Sequence, residues 1–236
     1  MQPLPYLKGR CPVKFEIYSS KGALKGNVTI IADGFTAPVT SGCWVDLCRR
    51  NFYDGLPVKT VRKRIAGETS IISSEKVDSM PYFRLSLSVL GSFNQGFIDP
   101  YTAKLRSVPL EILRGGITEE ILPVYGATSN SEYERRPPLV DLDVPGVVAL
   151  NHPQGFDLID MLQSSRDRGS SEFFMIKRNE QWEDLLRGNY APFGYVVEGF
   201  KVMSLLEAGD VCKNFVVDEW GGGNLEIAKV AIKASS

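Results

Sequence analysis

What this sequence has little of narrows it first. It carries a single histidine, His152, and four cysteines, Cys11, Cys43, Cys48 and Cys212, at spacings that match no zinc-ligand pattern. A metal centre or a histidine-dependent triad has almost nothing to be built from, and His152 is read as a surface or hydrogen-bonded residue. Four irregularly spaced thiols also make no disulfide scaffold, so buried free thiols are expected. Cys43 and Cys48 fall on different helix faces and are not expected to pair, while a bridge from either to Cys11 or Cys212 stays open. Charge of one sign is missing too: 27 basic against 28 acidic residues leave a net charge of −1, scattered along the chain. That balance excludes the electrostatic footprint of a nucleic-acid or acidic-membrane binder. No apolar run approaches the ~18 residues of a membrane-spanning helix, and residues 1–9 lack the charged and apolar regions of a signal peptide. A soluble chain without a targeting segment is the expectation.

What is present reads as strands. A chain of 236 residues that is 43% apolar can bury one substantial core, and an all-β barrel of this size commonly forms one domain. Residues 10–18 and 26–32 alternate apolar and polar positions around the turn SSKGALKG, which predicts a hairpin. Thr36 is placed to cap a helix whose first turn tolerates Pro38. Val39, Cys43 and Leu47 then recur every four residues, an apolar stripe able to plug the end of a barrel. Residues 57–81 are polar, basic and too long for an ordinary connection, so they read as an insertion, with Lys59, Arg62, Lys63 and Arg64 a solvated face. A strand over 82–90 ends at Gly91; 114–145 and 152–169 are long loops, separated by a short buried strand, Gly146–Leu150. Strands at Phe173–Ile176 and Tyr190–Val197 either wall a small apolar pocket or are plain core. A helix over 199–209, with Val202, Leu205 and Leu206 inward, stops at Gly209. Strands over 213–217 and 225–233 follow, the last closing the barrel.

Two motifs carry a resemblance. Ser170–Phe174 (SSEFF), followed by Leu185, Leu186, Gly188, Tyr190 and the run Ala191–Val196, resembles the cyclophilin signature, in which S-Q-F-F precedes W-L-D-G and an F-G-x-V strand. Over a hundred residues earlier, Ala37, Pro38, Thr40, Leu47 and Phe52–Gly55 (FYDG) resemble that family's A-P-x-T-x-x-N-F-x-x-L and F-Y-D-G, in the same order. GFIDP (96–100) and SVPLEI (107–112) resemble one branch, the thylakoid-lumen cyclophilins of plants and algae. In that branch a segment like LPYLKGR joins a helical domain to the barrel. Only nine residues precede the first predicted strand here, so the helical domain is expected to be absent from this chain. The resemblance implies a mostly β fold: a closed antiparallel eight-stranded β-barrel capped by two α-helices, spanning 10–234 after an N-terminal extension of 1–9. It also implies the chloroplast thylakoid lumen as compartment.

The implied chemistry is rotation about an X-Pro amide, whose barrier of about 18–20 kcal/mol comes from partial double-bond character in the C–N bond. No nucleophile is required, and no metal or cofactor is expected. The catalyst must bind the twisted amide better than the planar one. In cyclophilins an arginine hydrogen-bonds near the prolyl nitrogen, a glutamine and backbone groups hold the carbonyl, and an apolar pocket grips the ring, a form of electrostatic stabilisation. Carried over by motif, Phe174 is the pocket phenylalanine, Leu186 the leucine of W-L-D-G, and Tyr190 the aromatic where many members have histidine. Leu150 and Asn151, after Ala149, fall at the substrate-lining strand. In YFRLSLSVLG, Arg84 stands as the arginine, with Leu87 or Val89 at the aromatic position and Leu90 where glutamine is expected. Counting from FYDG instead leaves Thr60 at the arginine position, with Arg62 nearby. Glu172 replaces the glutamine before the phenylalanine pair. Leu185 replaces the tryptophan associated with cyclosporin, so weak or no cyclosporin binding is expected; Trp182 lies three residues early.

Three functions fit these residues. One is a slow isomerase working on proline-containing segments of client proteins through Arg84, Phe174, Leu186 and Tyr190. The lost glutamine would slow it, because a substrate carbonyl without a polar partner is held less well. Another is a catalytically silent module of the same fold that binds such segments or serves the assembly of photosynthetic complexes, its long insertions acting as partner surfaces. The third is a purely structural barrel.

Overall fold

The computed structural model describes residues 2–61, 82–85, 97–104, 106–114, 123–126, 138–142, 144–152, 166–176, 188–207 and 209–230. Strand β1 (Gln2–Leu7) leads into β2 (Arg10–Tyr18) and β3 (Leu24–Asp33). Cys11, Val13, Phe15 and Ile17 of β2 and Val28, Ile30 and Ala32 of β3 are buried at every second position, as strands with one face on a core require. The two pair antiparallel from Arg10↔Asp33 to Tyr18↔Leu24, so the predicted hairpin is present with its second strand starting two residues early. Gly22, at φ 86°, supplies the left-handed turn between them.

Helix α1 (Pro38–Arg49) follows, then β4 (Val58–Val61), β5 (Tyr82–Leu85), β6 (Glu111–Leu113), β7 (Pro123–Tyr125), β8 (Val147–Leu150), β9 (Phe173–Ile176) and β10 (Ala191–Glu198). Then come α2 (Phe200–Ser204), β11 (Val211–Val217), the single turn α3 (Glu219–Gly222) and β12 (Leu225–Val230). Eight strands form one antiparallel sheet in the order β11-β2-β3-β10-β8-β9-β5-β4. Its two outermost strands come back together: Pro57 bridges Val211, and the Val58 amide donates to the Asp210 carbonyl at 2.6 Å. Trp44 of α1 fills the interior, edge-on to Phe173 at 5.6 Å and against Phe193 at 5.3 Å.

Several expectations need correcting. β12 does not complete the barrel; it pairs with β1, from Gln2↔Val230 to Leu7↔Leu225, and residues 2–7 are thus a strand. This pair covers the outer side of α1. Pro38–Cys48 are therefore all buried, not only the predicted stripe of Val39, Cys43 and Leu47. Residues 123–125 form β7, paired with β6, inside what was read as loop. α2 is shorter than 199–209, and with the helix over at Ser204 the Leu205 side chain is left 60% exposed while Leu206 is fully buried. The 62–81 part of the first insertion, with Arg62, Lys63 and Arg64, lies outside the described residues, as do residues 86–90 of the strand expected over 82–90.

The packing of α1 on β1 is close enough to test. A Cβ added to Gly42 would stand 2.6 Å from the Pro5 carbonyl oxygen and 2.7 Å from the Tyr6 nitrogen. Glycine to alanine within a helix ordinarily gains about 1 kcal/mol. Here backbone would have to move, so Gly42→Ala is expected to destabilise by about 1–3 kcal/mol, read as a lowered thermal midpoint.

Thr36 does not cap α1. The N-cap is Ala37, without a side-chain cap, and the buried amides of the first turn are satisfied from some seventy residues away by Glu111 of the VPLEI motif. Its Oε1 accepts from the Val39 amide at 3.2 Å and its Oε2 from the Thr40 amide at 2.7 Å, with the Tyr125 hydroxyl donating as well. Burial raises the Glu111 carboxyl above its ordinary value of 4.5, against the lowering effect of these donors. The native state thus holds this proton more tightly than the unfolded chain. Its stabilising contribution is complete below the ordinary value and declines as pH rises toward the raised native one. The stability of the wild type relative to Glu111→Gln should therefore fall as pH rises above about 4.5 in urea titrations; a difference that rises would count against it.

All four cysteines are buried free thiols. Burial pushes the Cys11 thiol up to about 12 and raises Cys43, Cys48 and Cys212 as well, which makes them poor nucleophiles at neutral pH.

Candidate functional site

Alternation divides β8 and β9 between two environments. Val148, Leu150, Phe173 and Met175 join the main core, while Val147, Ala149, Phe174 and Ile176 form a second cluster with Leu142, flanked by Val140 and Tyr190. Leu150, expected to line a substrate groove, thus belongs to the barrel interior; its Cδ2 sits 2.7 Å from where a Cβ on Gly169 would be. Ala149 takes the outer position, because a slip of one residue changes the face.

The sheet register brings the two arginine alternatives together. Ala149 pairs with Phe174, Phe174 with Arg84, and Arg84 with Thr60. Directly opposed residues share a face of the sheet, so position 84 shares the rung and the face of Phe174. The strand that directly follows FYDG is β4, which carries Thr60; the arginine stands one strand over, on β5.

Tyr190 lies one residue before β10, after a turn in which Gly188 has φ 72°. Its ring meets Phe174 edge-on, 5.1 Å between centroids at 89°. Phe174 itself is only 1% exposed, so its ring is packed against its neighbours rather than bare in an open pocket. Asn151 is fastened to the residue that replaces the family glutamine: its amide donates to the Glu172 carbonyl at 2.8 Å and its Nδ2 to Glu172 Oε2 at 2.6 Å. His152, read from the sequence as a surface or hydrogen-bonded residue, is buried and hydrogen-bonded; it stacks on Tyr190 at 4.7 Å and 22°, with Nε2 3.1 Å from the Asn189 carbonyl oxygen. Its position at the exit of β8, next to Asn151, was the only available signal. Leu186, Leu87 and Leu90 lie outside the described residues, as do Leu185, Val89 and Trp182, and of Arg84 the structure describes the backbone.

The other branch motif, GFIDP, has a structural role. Asp99 Oδ2 accepts from Arg106 Nε at 2.8 Å, and Asp46 Oδ2 of α1 accepts from Arg106 Nη2 at 2.8 Å. The guanidinium also lies 4.6 Å from the Phe97 ring centre.

Comparison with known proteins decides the family. The model described as cyclophilin type peptidyl-prolyl cis-trans isomerase/CLD matches residues 14–230. The chain belongs to the cyclophilins. A thylakoid lumen peptidyl-prolyl cis-trans isomerase of Synechocystis is 34% identical over 212 residues, 88% of this chain and 46% of that protein. The chloroplastic peptidyl-prolyl cis-trans isomerase CYP38 of Arabidopsis thaliana is 30% identical over 220 residues, 91% of this chain and 44% of that one. This cyclophilin chain therefore spans about half the length of these relatives. Two solved cyclophilins share the fold at 12% identity: one from Cryptosporidium parvum, with TM-score 0.55 over 89% of this chain and 98% of that one, and one from Mimivirus, with TM-score 0.52 over 91% and 92%. The cyclophilin family and the mostly β fold expected from the motifs are both found.

Proposed function

We propose that this chain is a peptidyl-prolyl cis–trans isomerase that acts on proline-containing segments of client proteins in the chloroplast thylakoid lumen. The compartment rests on the names of the relatives in Synechocystis and Arabidopsis. The catalytic reading rests on one observation, the rung Ala149–Phe174–Arg84. The motif puts the prolyl ring at Phe174 and Tyr190, whose rings meet edge-on, and the register puts position 84 beside Phe174. The Arg84 guanidinium is assigned to the prolyl nitrogen, where a donated hydrogen bond withdraws the lone pair from conjugation and favours the twisted amide.

Exchange NMR on an Ala-Pro peptide at equilibrium tests this. Wild type should accelerate cis–trans exchange, and Arg84→Ala should lose about 10²-fold of that acceleration. Equal rates would remove Arg84 from the mechanism. Peptide resonances that shift without any acceleration by wild type would make the chain a silent proline-binding module instead.

A further inference from the structure

We propose that His152 is a positioning residue of the prolyl site, one that fixes the Tyr190 ring at the edge of Phe174. The inference rests on the isomerase reading above and deepens it. Tyr190 belongs to no strand; it sits on the turn that precedes β10, where a side chain samples several rotamers unless something holds it. The His152 imidazole constrains it twice. It stacks on the ring at 4.7 Å with the planes 22° apart, and its Nε2 lies 3.1 Å from the carbonyl oxygen of Asn189, the residue immediately before. Ring and backbone of the same turn are thereby tied to one side chain. With Nε2 protonated, the imidazole donates to that carbonyl and its face stays turned to the phenol.

His152 is in turn delivered from a fixed place. It follows β8 directly, and the preceding Asn151 is bound to Glu172 through both its backbone amide and its side-chain amide. Glu172 immediately precedes β9, the strand that bears Phe174. The series Glu172, Asn151, His152, Tyr190 therefore leaves the sheet beside Phe174 and returns to its edge, closing a ring of contacts around the pocket phenylalanine. Ordering one rotamer-rich side chain before the substrate arrives improves affinity by about three- to tenfold without touching the reacting amide.

Because the chain contains one histidine, its imidazole gives a single Hε1 resonance that needs no assignment by mutation. The Ala-Pro peptide is titrated into wild type while exchange is recorded. His152→Ala and His152→Phe, the second keeping a stacking ring but not the Nε2 bond, follow. The expected results are an imidazole resonance that moves with peptide saturation, and a peptide dissociation constant about three- to tenfold higher in His152→Ala. The exchange rate at saturation should stay within about twofold of wild type, and His152→Phe should recover most of the affinity. A wild type that accelerates exchange while its imidazole resonance stays still overturns the proposal, and so does wild-type affinity in a folded His152→Ala. If His152→Ala does not fold, the wild-type resonance and His152→Phe decide: a still resonance, or a weakened Phe variant, overturns it. A wild type that neither binds nor accelerates fails the isomerase reading itself, and takes this inference with it before any variant is made.

Discussion

Replacing Arg106 with alanine should cost the fold about 3–5 kcal/mol, the largest stability loss expected from any single substitution here. The guanidinium is fully buried, and its two carboxylate partners belong to different parts of the chain, Asp46 on α1 and Asp99 in the GFIDP segment. Asp99 also accepts the Tyr101 amide at 2.8 Å through its other oxygen, and Asp46 holds Arg50 at 3.0 Å. Without the cation, two buried carboxylates face the space it leaves, and each loses a charge-assisted hydrogen bond. The loss is a matter of stranded charge rather than of net attraction, since a buried ion pair gains little over an apolar replacement once desolvation is counted. Urea unfolding of Arg106→Ala beside the combined variant Asp46→Leu, Asp99→Leu, Arg106→Met separates the two. The single variant should fall well below the triple one, and the reverse order would show that Arg106 acts through its packing on Phe97 instead.

Phe174→Ala is expected to act twice. Deleting a buried phenyl ring costs about 3–5 kcal/mol in a rigid core, and the lower end applies where neighbours can close in. The ring here packs in a small satellite cluster with Leu142, Val147, Ala149 and Ile176, outside the main core. About 3 kcal/mol is therefore expected from thermal unfolding. The second effect is on binding. Tyr190 loses the ring that it meets edge-on, and Ala-Pro peptide affinity should drop at least about tenfold on an interaction worth more than about 1.4 kcal/mol. Phe174→Leu keeps most of the apolar volume without the aromatic edge, so it should recover stability ahead of affinity. Unchanged peptide affinity in a folded Phe174→Ala would place proline recognition elsewhere on the surface.

The parts of this fold that could be read from sequence are those whose cause is local. β2 and β3 announce themselves by period-two alternation, and α1 by a proline tolerated in its first turn and apolar residues four apart. What could not be read depends on distant partners. Residues 2–7 carry Pro3 and Pro5, which disguise a strand, and the partner of that strand lies at the other end of the chain. Leu225 and Ile227 alternate as a barrel strand would, yet they belong to a two-stranded cover on the helix. The α1 cap escaped notice because Glu111 reaches it through space, whereas Thr36 merely stands next to it in sequence. GFIDP and VPLEI were visible as motifs, but the work of Asp99 and Glu111 was not.

The site divides in the same way. Phe174 and Tyr190 could be placed by motif, and the structure puts their rings in contact. Leu150, read as substrate-lining, packs in the main core, while Ala149 one residue before it joins the cluster of Phe174, since neighbours along a strand take opposite faces. Arg84 and Thr60 competed for one role in the sequence because a linear count allows only one of them. The sheet lays them side by side on neighbouring strands.

The clasp of β1 and β12 gives the chain a mechanical character. Its outer rung joins Gln2 to Val230, and its inner rung joins Leu7 to Leu225. A force that draws Gln2 away from Val230 enters this antiparallel ladder at one end, so the rungs part in succession, like a zipper, and never share the load as they would in shear. The two-stranded ladder shares no rung with the eight-stranded sheet, so it should part first. What emerges first is the Gly42 side of α1, a bare helical flank with no side chain where the strand had been lying.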